Sequence, residues 1–226
     1  MPSTFPWVRL KTAISLDGAT ALPDGRSQWI TGEAARADGH AWRARACAVL
    51  TGVGTVRDDD PRLDVRLVPT DRQPALVIVD SRLETPPTAA LFAVANRPVW
   101  IYGALALPAR QAALEASGAT VTVIPRADGK VDLPAMLQDL ARRGATQVHV
   151  EAGARLNGSL VREGLVNEFL VYVAPPLLGQ GRPLAAFGPL ADLDQAVRLS
   201  FDSIDRVGDD LRILARVVSR GLPAQA

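Results

Sequence analysis

The feature that most constrains the fold is the alternation of short apolar runs with stretches of helical periodicity. Residues 75–80, ALVIVD, form a continuous apolar run, as expected of a strand that is covered on both faces. Residues 33–46 instead predict a helix that starts at Thr31 or Gly32 and carries acidic Glu33 in its first turn. This alternation predicts an α/β fold with a mostly parallel sheet flanked by helices.

The same patterns predict the other elements. Strands are predicted at Val8–Ile14, Ala48–Thr51, Val99–Tyr102, Thr120–Ile124, Gln147–Val150 and Glu168–Val173, and helices at Ala109–Ser117, Leu133–Arg143 and Leu156–Glu163. Near the C-terminus, Val197–Asp205 and Leu211–Val218 alternate apolar and polar residues around Gly208–Asp210, which predicts an antiparallel hairpin. We therefore expect a single α/β domain over residues 1–226, with a mixed sheet and a core at about 7–218.

Composition and charge exclude several kinds of site. Cys47 is the sole cysteine, so neither a disulfide framework nor a Cys-rich zinc site can form. Only His40 and His149 could serve as imidazole ligands, and we therefore predict no metal centre. The net charge of +1 argues against broad electrostatic binding to nucleic acid or membranes.

The start of the chain predicts a cytoplasmic protein. Met1–Pro6 lack the basic and apolar regions of a secretory signal. No apolar run reaches the ~18 residues that a membrane span requires.

Lysine is rare in this chain, which draws attention to Lys11. Of 25 basic residues, only Lys11 and Lys130 are lysines. An ammonium group is a compact charge with a tunable pKa, and arginine cannot replace it in proton transfer. Compositional drift explains the scarcity equally well.

Three segments follow predicted strands, where α/β sheets bind ligands. They are residues 11–18, 51–61 and 150–159. Gly52 and Gly54 suit a plain turn as well as a phosphate site. The carboxylates of Asp58–Asp60 could hold a hard cation, although a solvated turn before Pro61 is the favoured interpretation.

Six motifs occur in an order that resembles the reductase domain of the bacterial riboflavin-biosynthesis deaminase/reductase. They are LKTAISLDG (10–18), SQWIT (27–31), TGVGTVRDDDPRLDVR (51–66), VIVDS (77–81), VEAG (150–153) and VYVAPPLLG (171–179). The resemblance runs from about Trp7 to Val218 and implies a dihydrofolate reductase-like fold. It also implies a homodimer.

The resemblance implies NADPH-dependent reduction of 5-amino-6-(5-phosphoribosylamino)uracil to the ribitylamino product, with hydride transfer to the sugar C1. The implied cofactor contacts are Ala13, Trp29, Thr55, Asp59 and Ser81, together with the diphosphate-binding turn of Gly153, Ala154, Arg155, Leu156, Asn157, Gly158 and Ser159. The implied substrate contacts are Ser27, Arg43, Leu63, Arg66 and Glu151. Arginine suits the substrate phosphate because its N–H groups match the phosphate oxygens.

The proton that moves during ring opening needs a donor or relay near the sugar. Lys11, which matches a lysine beside the reacting sugar, is one candidate catalytic residue, and Asp59 and Glu151 are the others.

No segment matches the zinc-binding His/Cys signature of the deaminase that accompanies this reductase. The chain could be a stand-alone reductase that works with a separate deaminase, part of a longer protein, or a relative in another pathway. Two further hypotheses stay open. One is a reductase for a pteridine or a diaminopyrimidinone ribosyl phosphate, and the other is a non-catalytic nucleotide-binding module.

Overall fold

The computed structural model describes residues 4–220, with side chains described through Val218. The strands are β1 Trp7–Ser15, β2 Ala19–Ala21, β3 Ala48–Gly52, β4 Ala75–Val79, β5 Val99–Gly103, β6 Ala119–Val123, β7 Gln147–Val150, β8 Glu168–Ala174, β9 Arg182–Pro183, β10 Val197–Val207 and β11 Asp210–Arg220. The α-helices are α1 Glu33–Arg45, α2 Val53–Asp59, α3 Pro108–Ala116, α4 Leu133–Arg142 and α5 Ala154–Arg162, and short 3-10 helices lie at Ala90–Ala93 and Leu193–Gln195.

Contacts along the chain divide it into two compact units. The first comprises residues up to Trp7 together with His40–Ala152, and the second comprises Val8–Gly39 together with the residues from Gly153 onward. Each unit therefore combines segments that are distant in sequence. The expectation of one domain over residues 1–226 stays a prediction.

The first unit is built on parallel strands in the order β7-β3-β4-β5-β6. Their apolar side chains form a core that includes Val49, Leu76, Ile78 and Ile101, all fully buried. Strands buried on both faces explain the uninterrupted apolar run at residues 75–79.

The second unit places its strands in the order β10-β11-β8-β1. Strands β1 and β8 are parallel, whereas β11 runs antiparallel to both β8 and β10. The predicted α/β class, mostly parallel strands and C-terminal antiparallel hairpin are confirmed. The hairpin strands are longer than predicted and turn at Gly208 and Asp209.

Local sequence explains where helix α4 begins and ends. The Asp132 carboxylate accepts the Ala135 N–H at 2.9 Å and caps α4, and the chain leaves this helix through Gly144 at φ +87°. One inner face of α4 buries Leu133, Met136, Leu137 and Leu140. These caps and the apolar period are both visible in the sequence.

Two segments near the predicted ligand-binding positions are more helical than predicted. Residues 53–59 form helix α2, whereas Gly54 suited a turn or a phosphate site and a solvated turn was the favoured interpretation of Asp58–Asp60. Burial of Val56 in the core stabilises this helix. The helix ends at Asp60, whose backbone lies in the left-handed region at φ 41°. Helix α5 begins at Ala154 instead of Leu156, so most of the predicted turn at 153–159 is helical.

No helix within the described part of the chain has the length and hydropathy to cross a membrane.

Helical glycines provide a test of packing. A Cβ at Gly158 in α5 would lie 2.1 Å from the carbonyl oxygen of Ala186, whereas a Cβ at Gly54 in α2 would have no atom within 4 Å. We expect Gly158→Ala to lower the free energy of unfolding by about 1–3 kcal/mol because backbone must move.

Gly54→Ala is the matched control and should raise the free energy of unfolding by about 0.5–1 kcal/mol. Urea unfolding measures both. Equal stability of the two variants would show that the backbone near Ala186 moves without lowering the free energy of unfolding.

Candidate active site

A nearly buried ion pair lies in the first unit. Arg43, from the end of α1, donates from Nε to Glu151 Oε1 at 2.7 Å and from Nη2 to Oε2 at 2.9 Å. The two side chains are only 11% and 14% exposed. His149, itself buried, has its Nε2 atom 3.5 Å from Glu151 Oε1. Burial alone would lower the pKa of Arg43, but the charge and hydrogen bonds of Glu151 outweigh it and raise that pKa.

The segment that follows α2 contacts the same ion pair. Arg43 Nη1 donates to the backbone carbonyl of Asp64. The Asp64 carboxylate accepts Arg66 Nη1 at 2.5 Å and Arg62 Nε at 3.0 Å. Burial raises the pKa of Asp64, but these arginine hydrogen bonds exceed that effect and hold it below its ordinary value. Glu151 is therefore linked to Arg66 through Arg43 and Asp64.

His40 adds a neutral group to this cluster. Its Nδ1 accepts the backbone N–H of Arg66 at 3.2 Å. Burial, followed by the positive charges of Arg43 and Arg66, lowers the pKa of His40 to about 4. The imidazole is therefore uncharged near neutral pH, with its proton on Nε2 because Nδ1 serves as an acceptor.

Leu63 is buried, unlike the exposed Arg62 and Arg66. It has φ +50° and its side chain is buried in the core of the first unit. Its carbonyl accepts Arg97 Nη1 at 2.8 Å. Any substrate contact at Leu63 would have to be compatible with that packing.

The predicted cofactor residues of the first unit lie in helix α2 and after strand β4. Thr55 is half-buried within α2, and exposed Asp59 is its last residue. Ser81 follows β4, and its carbonyl accepts the N–H groups of Ala104 and Leu105 at 3.1 Å each. Ser81 thus also joins the ends of β4 and β5.

Lys11 lies on β1 of the second unit, half-buried beside Tyr172. Its Nζ is 5.6 Å from the centre of the tyrosine ring. A Cβ at Gly39 would lie 3.8 Å from Lys11 Cε. The Tyr172 hydroxyl donates to Asp38 Oδ2 at 2.6 Å, and Arg212 Nη1 donates to both oxygens of Asp38 at 3.1 Å. These bonds fix the ring against which the lysine rests.

The start of α5 suits an anionic group. Gly153 is the N-cap residue, exposed and with ordinary extended backbone angles, and no side chain caps this helix end. The N–H groups of a first turn lack partners within the helix and carry partial positive charge. Three of the seven predicted diphosphate-binding residues, Gly153, Ala154 and Arg155, lie at this end.

Farther along α5, two predicted residues have structural contacts. Buried Asn157 donates from Nδ2 to the Leu184 carbonyl at 2.9 Å. Gly158 is the residue at which the backbone of Ala186 approaches closely. Their types are thus explained by packing of residues 184–186, and Leu156 and Ser159 are half-buried in the same helix.

The other predicted residues of the second unit are spread over β1 and the following segment. Half-buried Ala13 shares a face of β1 with Lys11, two residues away. Ser27 is half-buried, and Trp29 is 68% exposed with the Arg36 guanidinium 4.5 Å from its ring centre.

Comparison with known proteins identifies the family. The sequence model of the RibD C-terminal domain matches residues 6–213. The chain belongs to the RibD C-terminal domain family. It is 36% identical over 218 residues to riboflavin biosynthesis protein RibD of Bacillus amyloliquefaciens, covering 95% of this chain and 58% of that protein. RibD of Escherichia coli K12 is 35% identical over 226 residues, with 93% and 60% covered.

A solved relative has the same fold. RibD of Acinetobacter baumannii (form 1) superposes with a TM-score of 0.82 at 34% identity, covering 96% of this chain and 59% of that one. The chain thus spans about three fifths of the length of the RibD proteins that it matches. The resemblance to the riboflavin-biosynthesis reductase domain is confirmed at the level of the family.

Within this RibD C-terminal domain, the predicted substrate residues Arg43, Arg66 and Glu151 are brought together in one hydrogen-bonded cluster. Lys11, Ala13 and the first turn of α5 belong to the second unit. Sequence reasoning missed Asp64, which joins the arginines, and found no role for His40. The available signal was the alternation of charged and apolar residues in Arg62-Leu63-Asp64-Val65-Arg66, which places an acidic residue between two arginines.

The pKa of His40 predicts a specific loss of stability in mild acid. The folded chain holds this pKa at about 4, while the ordinary value is 6.5. The unfolded state therefore takes up the proton first, and the free energy of unfolding should fall as pH drops from 6.5 to 4, by at most about 1.4 kcal/mol per pH unit. Well above pH 6.5 His40 is neutral in both states and contributes nothing to this dependence.

His40→Gln removes the titrating group and keeps an acceptor for the Arg66 N–H. Its urea-derived stability should depend less on pH than the wild type between pH 6.5 and 4. Parallel curves for the two proteins would show that His40 does not titrate on unfolding.

Proposed function

We propose that the chain is an NADPH-dependent reductase that converts 5-amino-6-(5-phosphoribosylamino)uracil to 5-amino-6-(5-phosphoribitylamino)uracil in riboflavin biosynthesis. The observation that carries this proposal is the hydrogen-bonded path from Glu151 through Arg43 and Asp64 to Arg66. It joins three of the residues that the family resemblance assigns to a phosphorylated substrate. Family membership over residues 6–213 supports the same reaction.

Arginine chemistry favours a phosphate ester as the substrate group near Arg66. Arg66 is half-exposed and makes its ion pair with Asp64 through Nη1 alone among the described residues. Its other N–H groups can donate to phosphate oxygens. Arg43, by contrast, is neutralised by Glu151, so its role is to hold that carboxylate in place.

The residues at the start of α5 fit a dinucleotide cofactor. The helix end lacks a side-chain cap, and exposed Gly153 with the small side chain of Ala154 leaves the N–H groups of the first turn accessible to a diphosphate. We assign Gly153 and Ala154 to the cofactor diphosphate. The other cofactor contacts, Ala13, Trp29, Thr55, Asp59 and Ser81, rest on the family resemblance alone. Bound NADPH would supply the hydride that the sugar C1 receives.

We assign to Lys11 the role of proton donor during opening of the ribose ring. Opening of the ribose ring puts a proton on the ring oxygen, and an ammonium group can donate it. The Tyr172 ring, fixed by Asp38, restricts the lysine side chain. Asp59 and Glu151 are the alternative proton carriers, although Glu151 already accepts two hydrogen bonds from Arg43.

A coupled assay tests the reaction. NADPH absorbance should fall on addition of the phosphorylated pyrimidine, and removal of the phosphate should raise KM at least about tenfold because charge-assisted hydrogen bonds are lost. Turnover of a pteridine or of the diaminopyrimidinone ribosyl phosphate instead would assign a different acceptor. NADPH binding without turnover of any of them would identify a non-catalytic nucleotide-binding module.

The two lysines form a matched pair for testing the proton donor. Lys11→Met keeps the apolar stem and should lower kcat about 100-fold or more, while the NADPH Kd changes less than about threefold. Lys130→Met changes an exposed lysine beside Asp128 and should leave both constants unaltered.

Stopped-flow turnover and calorimetric titration give the two constants separately. If Lys11→Met weakened NADPH binding as much as it lowered kcat, Lys11 would serve the cofactor or the fold instead.

The assembly and the cellular context stay predictions. The homodimer, the cytoplasmic location and cooperation with a deaminase rest on the resemblance and the composition. Strand β10 exposes Leu199, Phe201 and Ile204, an apolar surface that a second copy could cover.

A further inference from the structure

Asp64 holds two arginine side chains at the surface from a buried position. Its side chain is 5% exposed, whereas those of Arg62 and Arg66 are 53% and 52% exposed. One carboxylate oxygen accepts Arg66 Nη1 and the other accepts Arg62 Nε. Because both guanidinium groups bind the same carboxylate, they must lie close to each other despite their like charge.

The backbone of this segment is fixed on several sides. The Gln73 side chain accepts the Val65 N–H at 2.7 Å and donates to the Val65 carbonyl at 2.9 Å. His40 accepts the Arg66 N–H. Arg97 donates to the carbonyls of Arg62 and Leu63 at 2.6 and 2.8 Å. The two surface arginines therefore extend from a rigid support, which lowers the conformational entropy lost when they bind a ligand.

The charges around Asp64 do not balance. Within the described residues, the guanidinium groups of Arg43, Arg62, Arg66 and Arg97 face the carboxylates of Asp64 and Glu151. His40 is neutral near pH 7. The surplus of two positive charges matches the dianionic form of a phosphate monoester.

Donor groups for such a ligand are available. Among the described residues, Arg62 uses only Nε and Arg66 only Nη1 in side-chain hydrogen bonds to protein. The Nη groups of Arg62, and Nε and Nη2 of Arg66, are left for solvent or ligand. A planar guanidinium can give two parallel hydrogen bonds to phosphate oxygens.

We propose that Asp64 is a positioning residue that holds Arg62 and Arg66 as a two-arginine clamp for the phosphate of the substrate. The identity of that substrate rests on the proposed function, whereas the clamp itself requires only a sugar phosphate. Of these two arginines, only Arg66 is assigned to the substrate by the family resemblance, and Arg62 is the additional phosphate ligand in this proposal.

The sign of one mutational effect separates positioning from charge. Asp64→Asn removes a negative charge near the phosphate, so a site that worked by net charge alone would bind the anion more tightly. A positioning carboxylate has the opposite effect, because an amide cannot accept strongly from both arginines and each guanidinium regains rotamer freedom. A structural role alone would alter stability but not the preference for phosphate.

The experiment compares ribose 5-phosphate with ribose as calorimetric probes of the full chain. We expect Asp64→Asn and Arg62→Gln each to weaken ribose 5-phosphate binding about tenfold and to leave the response to ribose unaltered. The double variant should bind little worse than Asp64→Asn, since the two residues act together. Arg57→Gln is the control, because the Arg57 side chain is similarly exposed and is paired with Glu84 instead of Asp64.

Kinetics of the same variants complete the test. With the phosphorylated pyrimidine, KM should rise about tenfold while kcat stays within about twofold. Asp64→Asn binding ribose 5-phosphate as tightly as the wild type or more tightly would overturn the clamp, and so would unaltered binding by Arg62→Gln. Arg62→Gln changes only a surface side chain, so its binding and KM can be measured even if Asp64→Asn does not fold.

Failure of the clamp and failure of the proposed function give different results. A wild-type chain that binds ribose 5-phosphate more tightly than Arg62→Gln does, but does not reduce the pyrimidine, contradicts the proposed function and supports the clamp. A wild-type chain that reduces the pyrimidine while Arg62→Gln retains its KM supports the function and overturns the clamp.

Discussion

The ion pair of Arg43 with Glu151 is the interaction on which the rest of the first unit's candidate site depends. Removing two charges from water is costly, and only close geometry with further hydrogen bonds compensates for it. Here two hydrogen bonds join the charges, and a third connects Arg43 to the backbone of Asp64. The pair thereby connects the end of α1, the residue after β7 and the segment after α2.

Burial and surplus charge together explain why a histidine in this cluster is neutral. A protonated His40 would add a third uncompensated positive charge beside Arg43 and Arg66, within a region that solvates ions poorly. The neutral imidazole instead accepts a backbone hydrogen bond from Arg66. Positive charge is thus confined to arginines, which stay protonated at any physiological pH and whose N–H groups suit phosphate oxygens.

Helices α2 and α5 show how much of the structure the local sequence can predict. Both follow a strand and begin after a glycine, but the local pattern predicted a helix only for α5, over Leu156–Glu163, and left residues 53–59 without one. The burial of Val56 stabilises α2, and the close approach of Ala186 to Gly158 explains the glycine in α5. Neither contact can be derived from the local sequence, because Ala186 is 28 residues from Gly158 and the neighbours of Val56 come from other strands.

The sequence by itself determined the alternation of strands and helices, the C-terminal hairpin and the family, because periodicity, glycine stops and ordered motifs are local properties. Through the family resemblance it also implied that Arg43, Arg66 and Glu151 contact the substrate. Only the tertiary structure decided that Asp64 is buried between exposed Arg62 and Arg66, and that His40 is neutral. Burial depends on packing against residues far along the chain, and a pKa depends on burial and on charges that only folding brings near.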